Sequence, residues 1–303
     1  MAQINKNDYY EGKMISRKIT DSIIEKLIFA SGIAAIILVS LIFFFLLREG
    51  LGFFAQYSIK DFLSGHYWYP TSKPAGFGIL SLIMGSVFVT LGAAVIAVPV
   101  GVMAAFYISE VAPVSVRDIL KSGIELLAAI PSVVIGFIGM VTLVPFVRVM
   151  FDIPTGLSAF SGSLMLAFMA MPTIVSISED AIRSVPWTYK EAALSLGATK
   201  WQTMYRIVLP AAAPGILAAV MLGIGRVIGE TMAVMMITGN AAAIPESIFD
   251  PVRTMTATIA AEMGETVKGS MHYKGLFAIG LVLFVITFII NFIADSFLNR
   301  TKK

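Results

Sequence analysis

Arg226 and Glu230 stand inside an otherwise uncharged apolar run, Ala211–Thr238. Four residues make about one helical turn, so the two side chains are expected to share a face of one helix. A charge at the centre of a membrane helix costs about 2.5–3.5 kcal/mol on insertion scales. Opposite charges at this spacing offset much of that cost, so a structural ion pair holding the bundle is one reading. The other is a solute path, because intramembrane charges face a bundle interior or a wet cavity. Thr231 adds a hydroxyl beside the pair. Covalent chemistry has few candidates. The chain has no cysteine, which removes disulfides, thiolate metal sites and thiol nucleophiles. Only His66 and His272 could offer imidazole, so no metal site is expected and no catalytic residue is assigned.

A second group lies in the polar segment 179–210. Thr188 and Glu191 have capping-box spacing, so a helix is expected to start at Thr188 and run through Leu196. Gly197 suits the left-handed residue that closes such a helix. Thr199 and Gln202 repeat the capping pattern, so a second helix follows directly, and Leu209-Pro210 marks the handover to the next apolar run. Ala192, Ala193 and Ser195 form a small-residue face that either packs internally or lets a partner approach closely. Glu179 and Arg183 are spaced as a solvated helical salt bridge.

These residues need a scaffold, and composition says which. Of 303 residues, 57% are hydrophobic and 14% charged, against roughly 25% charged in soluble domains. Six apolar runs stand out: Leu27–Leu47, Ile79–Ile108, Ser122–Val147, Leu157–Ser178, Ala211–Thr238 and Leu276–Ala294. Each reaches or approaches the roughly 20 residues needed to span a bilayer. Only Glu125, Arg226 and Glu230 within them are charged. The expectation is an all-α polytopic membrane protein with six transmembrane helices. With the N-terminus inside, the inner segments hold 14 lysines and arginines and the outer loops 7, which favours both termini on the cytoplasmic side. The net charge of +3 suggests no nucleic-acid partner. The first run is too long for a signal-peptide core and reads as a retained helix.

The expected division is a polar tail over 1–26, a first helix over 27–47, an outer loop over 48–78, a core over 79–294 with a coupling loop at 186–210, and a tail over 295–303. Pro99, Pro131, Pro145, Pro172 and Pro214 interrupt the central runs, and broken helices belong inside a bundle or beside a wet cavity. Tyr67, Trp68 and Tyr69 in the first outer loop read as an interfacial anchor. In the loop 239–275, Asp250 and Pro251 are expected to start an amphipathic helix through Met255, Ile259, Met263 and Val267.

Glu191-Ala192-Ala193, then Gly197, then Ile207-Val208-Leu209-Pro210 resembles the EAA loop of ABC-importer permeases. The resemblance extends over about residues 75–296. Further stretches are similar to the phosphate-transport (Pst) permeases, the PstC type more than the PstA type. They are Trp68-Tyr69-Pro70, Ile130-Pro131-Ser132, Pro172-Thr173-Ile174 and Gly229-Glu230-Thr231-Met232, with Thr238-Gly239-Asn240. The resemblance implies a type I (MetI-like) importer permease that is not itself an enzyme. It implies a PstA-like permease partner, two PstB-like ATPase subunits carrying ATP and magnesium, and an external PstS-like phosphate-binding protein. It makes Glu191, Ala192, Ala193 and Gly197 the ATPase-coupling residues. It places Arg226, Glu230 and Thr231 on the substrate path, with Arg226 touching phosphate transiently. No Walker A pattern occurs in the chain, which fits nucleotide binding by another subunit. A permease for molybdate or sulfate, or a stand-alone secondary transporter, are the alternatives.

Overall fold

The computed structural model describes the backbone of residues 6–301 and the side chains of residues 21–293 and Ser296. Residues 1–5 and 302–303 of the expected tails lie outside the described residues. Among those described, six helical segments are long and apolar enough to cross a membrane: Asp21–Phe54, Leu80–Val111, Ser132–Met150, Ala159–Arg183, Lys200–Gly229 and Met271–Ile293.

Helix α1 (Lys6–Phe54) carries the first span and starts well before Leu27. Most of its described apolar side chains before Leu46, Leu27, Ile36 and Phe44 among them, are exposed, while Phe53 near its end is buried. An apolar helix left uncovered in this way is one that lipid solvates. Beyond it come α2 (Ile59–Ser64) and a short antiparallel hairpin, β1 (Trp68–Tyr69) with β2 (Gly76–Phe77), pairing Trp68 with Phe77. The second span is α3 (Leu80–Phe106), prolonged by a π-helical turn, Tyr107–Val111.

The third apolar run is not one helix. It divides into α4 (Val114–Ala129), α5 (Ser132–Ile138), a π turn at Gly139–Leu143 and α6 (Val144–Met150). Ile130 and Pro131 are both extended, with ψ of 128° and 137°. Proline disfavours the helical conformation of the residue before it and has no N–H to continue the ladder, so the break falls there. Glu125, expected at the edge of a span, therefore sits exposed on α4.

The fourth span is α7 (Ala159–Arg183). The coupling segment follows as α8 (Trp187–Ser195) and α9 (Lys200–Thr203), which runs through a π turn at Met204–Val208 into α10 (Leu209–Gly229). The fifth run also breaks. Glu230 is extended, and α11 (Met232–Ile237) is a separate short helix. The helix-poor sequence Gly223-Ile224-Gly225 through Gly229 holds the α-helix weakly. The freed Glu230 carbonyl accepts a hydrogen bond from Thr256 Oγ1 at 2.9 Å.

Two more helices complete the chain, α12 (Met255–Glu262) and α13 (Met271–Thr301). The start of α12 differs from expectation. Thr254 is the cap, accepting from the Ala257 N–H at 3.2 Å, while the Asp250 carboxylate accepts from the N–H groups of Glu246 and Ser247. The helix ends at Glu262, so Val267 lies beyond it and is exposed.

The core forms where α3, α7, α10 and α11 meet. Val89, Ala93 and Ala97 of α3 pack with Leu166, Ala170 and Ile174 of α7, Val227 of α10 and Ile237 of α11. Small side chains bring membrane helices close enough for dispersion to hold them, since lipid gives no hydrophobic drive between them.

Candidate functional site

The coupling segment is built from local rules. Pro186 precedes α8, so the helix begins at Trp187, and Thr188 falls inside the first turn where it cannot cap. That corrects the expected Thr188–Glu191 capping box. The far end is as the spacing predicts. Gly197 has φ +84°, its N–H reaches the Leu194 carbonyl at 3.0 Å, and the Ala198 N–H reaches the Ala193 carbonyl at 3.1 Å. These two bonds make a Schellman closure, which asks for a left-handed residue. An added Cβ at Gly197 would meet no atom within 4 Å, so backbone conformation alone demands glycine. Thr199 and Gln202 form the predicted reciprocal capping box.

Helix α8 turns one small residue inward. Ala193 is buried, while Glu191, Ala192, Ser195 and Gly197 are exposed. Trp187, Tyr189, Leu196, Trp201 and Tyr205 are exposed around them, Leu196 at 89%. Large apolar side chains exposed on a polar segment fit a place for a partner. The aromatic residues were visible in the sequence, but nothing in their spacing said which way they would point.

Two contacts tie the segment to the bundle, and a third lies behind it between α4 and α7. Lys190 Nζ meets Glu110 Oε1 at 2.6 Å. Trp201 stacks on Phe106 with ring centroids 6.2 Å apart. Glu179, only 2% exposed, binds Arg183 at 3.2 Å and also Lys121 of α4 at 2.8 Å. The expected pair is present with Arg183 half exposed as expected, but Glu179 is buried and joins α4 to α7 as well. The hydrogen bond to Glu179 raises the Lys121 pKa above its ordinary 10.5, with burial opposing and Asp180 adding to the rise.

The second site lies at the break between α10 and α11. Arg226 lies one turn before the end of α10, where the helix breaks. Arg226 and Glu230 do not pair: among the described residues no ion pair joins them. The break takes Glu230 off the Arg226 face, and its Oε1 accepts from the Ala233 N–H at 3.3 Å, at the start of α11. Arg226 itself is exposed on α10. Thr231 Oγ1 donates to the Gly229 carbonyl at 3.2 Å. The geometry brings Glu230 and Thr231 together at the break and leaves Arg226 on the helix surface with no ion pair among the described residues. An unpaired guanidinium on a membrane span has to face water or a partner chain.

A third cluster had no signal in the sequence. Glu262 at the end of α12 accepts from Trp68 Nε1 at 2.9 Å and Arg253 Nη1 at 2.8 Å, and lies 2.7 Å from His272 Nε2. Trp68 is 1% exposed, so it is a core residue and not a surface anchor; Tyr67 and Tyr69 remain exposed.

Residues 97–303 match the family described as binding-protein-dependent transport system inner membrane component, and the chain belongs to that family. It is therefore a multi-pass inner-membrane permease subunit of an ABC importer. It works with a separate ATPase, which binds the nucleotide, and with a solute-binding protein. Among particular relatives, a probable ABC transporter permease protein YqgH of Bacillus subtilis is 42% identical over 242 residues, covering 80% of this chain and 78% of that one. The phosphate transport system permease protein PstC of Mesorhizobium japonicum is 38% identical over 259 residues, covering 79% and 78%. The fold resembles a chain of the MetNI methionine ABC transporter in an inward-facing conformation, with a TM-score of 0.55, 20% identity, and 75% and 95% coverage. It also resembles a chain of a bacterial alginate ABC transporter, with a TM-score of 0.59, 18% identity, and 89% and 96% coverage.

Proposed function

We propose that this permease carries inorganic phosphate, as a PstC-type subunit paired with a PstA-like permease, a dimer of PstB-like ATPases and a PstS-like binding protein. The observation that carries the reading is the run of PstC proteins at 32–38% identity across about four-fifths of the chain. Both termini are cytoplasmic in this reading, supported by the two-to-one bias of lysine and arginine. Glu191, Ala192 and Gly197 form the face that the ATPase grips, and Ala193, buried beneath them, seats that face on the bundle. ATP-driven closure of the ATPases then moves α8 and α9 as a lever, opening the path to one side and then the other.

Arg226 meets phosphate on that path. Its exposure within the chain, on a span where lipid is a costly neighbour, supports a position facing the second permease across a shared passage. Contact is transient, because tight binding would slow release. Glu230 and Thr231 shape the passage at the helix break, where backbone freed from helix can line a cavity. The test is uptake of labelled phosphate by the reconstituted complex. Arg226→Ala should abolish uptake with the complex intact and ATP hydrolysis retained, and Arg226→Lys should recover part of it. Normal uptake by Arg226→Ala at normal assembly removes the residue from the path. Competition by molybdate or sulfate, equal to that by unlabelled phosphate, would reassign the substrate.

A further inference from the structure

Where the coupling segment meets the bundle there is a cavity of about 420 Å³, walled by the turn after α3, by α4, by the end of α7, and by α8 and α9. Arg117, Arg183, Lys190 and Lys200 line it, against the single acid Glu110. Glu110 pairs with Lys190, and Arg183 is engaged with Glu179 behind it. Arg117 is anchored differently. Its Nε and Nη2 donate to the backbone carbonyls of Ile108 and Ser109, each at 3.0 Å. Neutral acceptors fix the guanidinium in place and leave its charge uncompensated. Lys200 is exposed and forms no ion pair among the described residues.

A second, independent feature is Ser109. It is 6% exposed, lines this cavity, and its Oγ has no hydrogen-bond partner. Buried hydroxyls are almost always paired, so an orphan at the wall of a basic cavity calls for an acceptor. A group with several anionic oxygens satisfies fixed guanidinium, ammonium and hydroxyl donors together.

We propose that this cavity binds a phosphate group, either free phosphate or the headgroup of an acidic lipid, through Arg117, Lys200 and Ser109. The donors come from the bundle on one side and the coupling segment on the other, so the bound anion bridges the lever to the body it moves against. The proposal does not depend on what solute passes Arg226.

The test uses the complete importer complex in phosphatidylcholine nanodiscs. A lysine-reactive ester labels Lys200, and mass spectrometry reads its rate while inorganic phosphate is titrated at constant ionic strength against chloride. Saturable protection is expected, about threefold at a phosphate concentration twice the dissociation constant. Ser109→Ala and Arg117→Gln should each raise the midpoint about fivefold or more. Arg226→Ala should leave it unchanged, which separates this site from the proposed transport path. A second arm uses phosphatidylglycerol nanodiscs without phosphate. Protection there, with none from free phosphate, assigns the site to the lipid headgroup. Protection in neither arm, or protection insensitive to both Ser109→Ala and Arg117→Gln, overturns the proposal.

Discussion

Ile174 of α7 is wedged between two glycines on different helices. A Cβ added at Gly101 of α3 would lie 2.8 Å from its Cγ2, and one added at Gly223 of α10 would lie 2.5 Å from its Cγ1 and 2.9 Å from its Cδ1. Gly223→Ala therefore puts a methyl about 1 Å inside the usual carbon contact of about 3.5–4.0 Å. Ile174 is 1% exposed and has the α3 backbone at its other side, so it has nowhere to withdraw. Overpacking of this kind costs about 1–3 kcal/mol. Alanine regains about 0.8–1.0 kcal/mol of helix propensity over glycine, which leaves a net loss of about 0–2 kcal/mol. Ile174→Ala alone should cost about 2–5 kcal/mol through the cavity it opens. In the double variant the new methyl enters that cavity and the clash is gone. A favourable coupling of about 1–3 kcal/mol is therefore expected from the double-mutant cycle. Reversible unfolding in mixed micelles can measure it, using one introduced cysteine as reporter because the chain has none. Additivity within about 0.5 kcal/mol would mean that α7 and α10 do not meet at this register, and the packing described for the bundle core would be wrong.

Glu179→Gln should loosen α4 from α7, read as faster modification of a cysteine placed at Ile124. Because the Lys121 pKa is raised, the contribution of its pairing is full below 10.5 and is lost as pH climbs through the higher folded value. Divided by the rate at a freely exposed control cysteine, which removes the thiol's own ionisation near about pH 8.5, the modification rate without the Glu179 change should thus be flat from neutral pH and rise only in strong alkali, and a ratio already climbing near neutrality would contradict the pairing. Glu262→Gln removes the charge from three donors and should cost about 2 kcal/mol, with a change in Trp68 fluorescence in a variant lacking Trp187 and Trp201; unchanged emission would show that Trp68 does not depend on the carboxylate. Gly197→Ala forces an L-residue into left-handed backbone at about 1–2 kcal/mol. It should reduce ATPase retained on purification, Gly197→Asn should do so less, and full retention by both would dissociate the turn from coupling.

The parts of the molecule that sequence made legible are those decided within a few residues. Gly197, Thr199 and Gln202 take the conformations their spacing predicts, because a Schellman closure and a capping box are complete in six residues or fewer. The six spans follow from the cost of leaving apolar length in water and charge in lipid, and that cost is a sum over composition. Continuity within a span is a different matter. Pro131 was visible, and so was the reason it could break a helix, yet Pro172 lies inside the unbroken α7. What separates them is tertiary: α7 is surrounded by other helices that hold its register, while α4 has no buried residue to hold it in line with α5. The same limit misled the reading of Arg226 and Glu230. Four-residue spacing implies a shared face only while the backbone stays helical, and the Thr256 hydroxyl that receives the opened Glu230 carbonyl is 26 residues away. Once the helix opens there, a pair that would have neutralised itself becomes two separate groups. Glu230 joins the start of α11, and Arg226 keeps an uncompensated charge on the α10 surface. Uncompensated charge is what an anion path needs, so the break that defeated the sequence-based geometry strengthens the functional reading built on it.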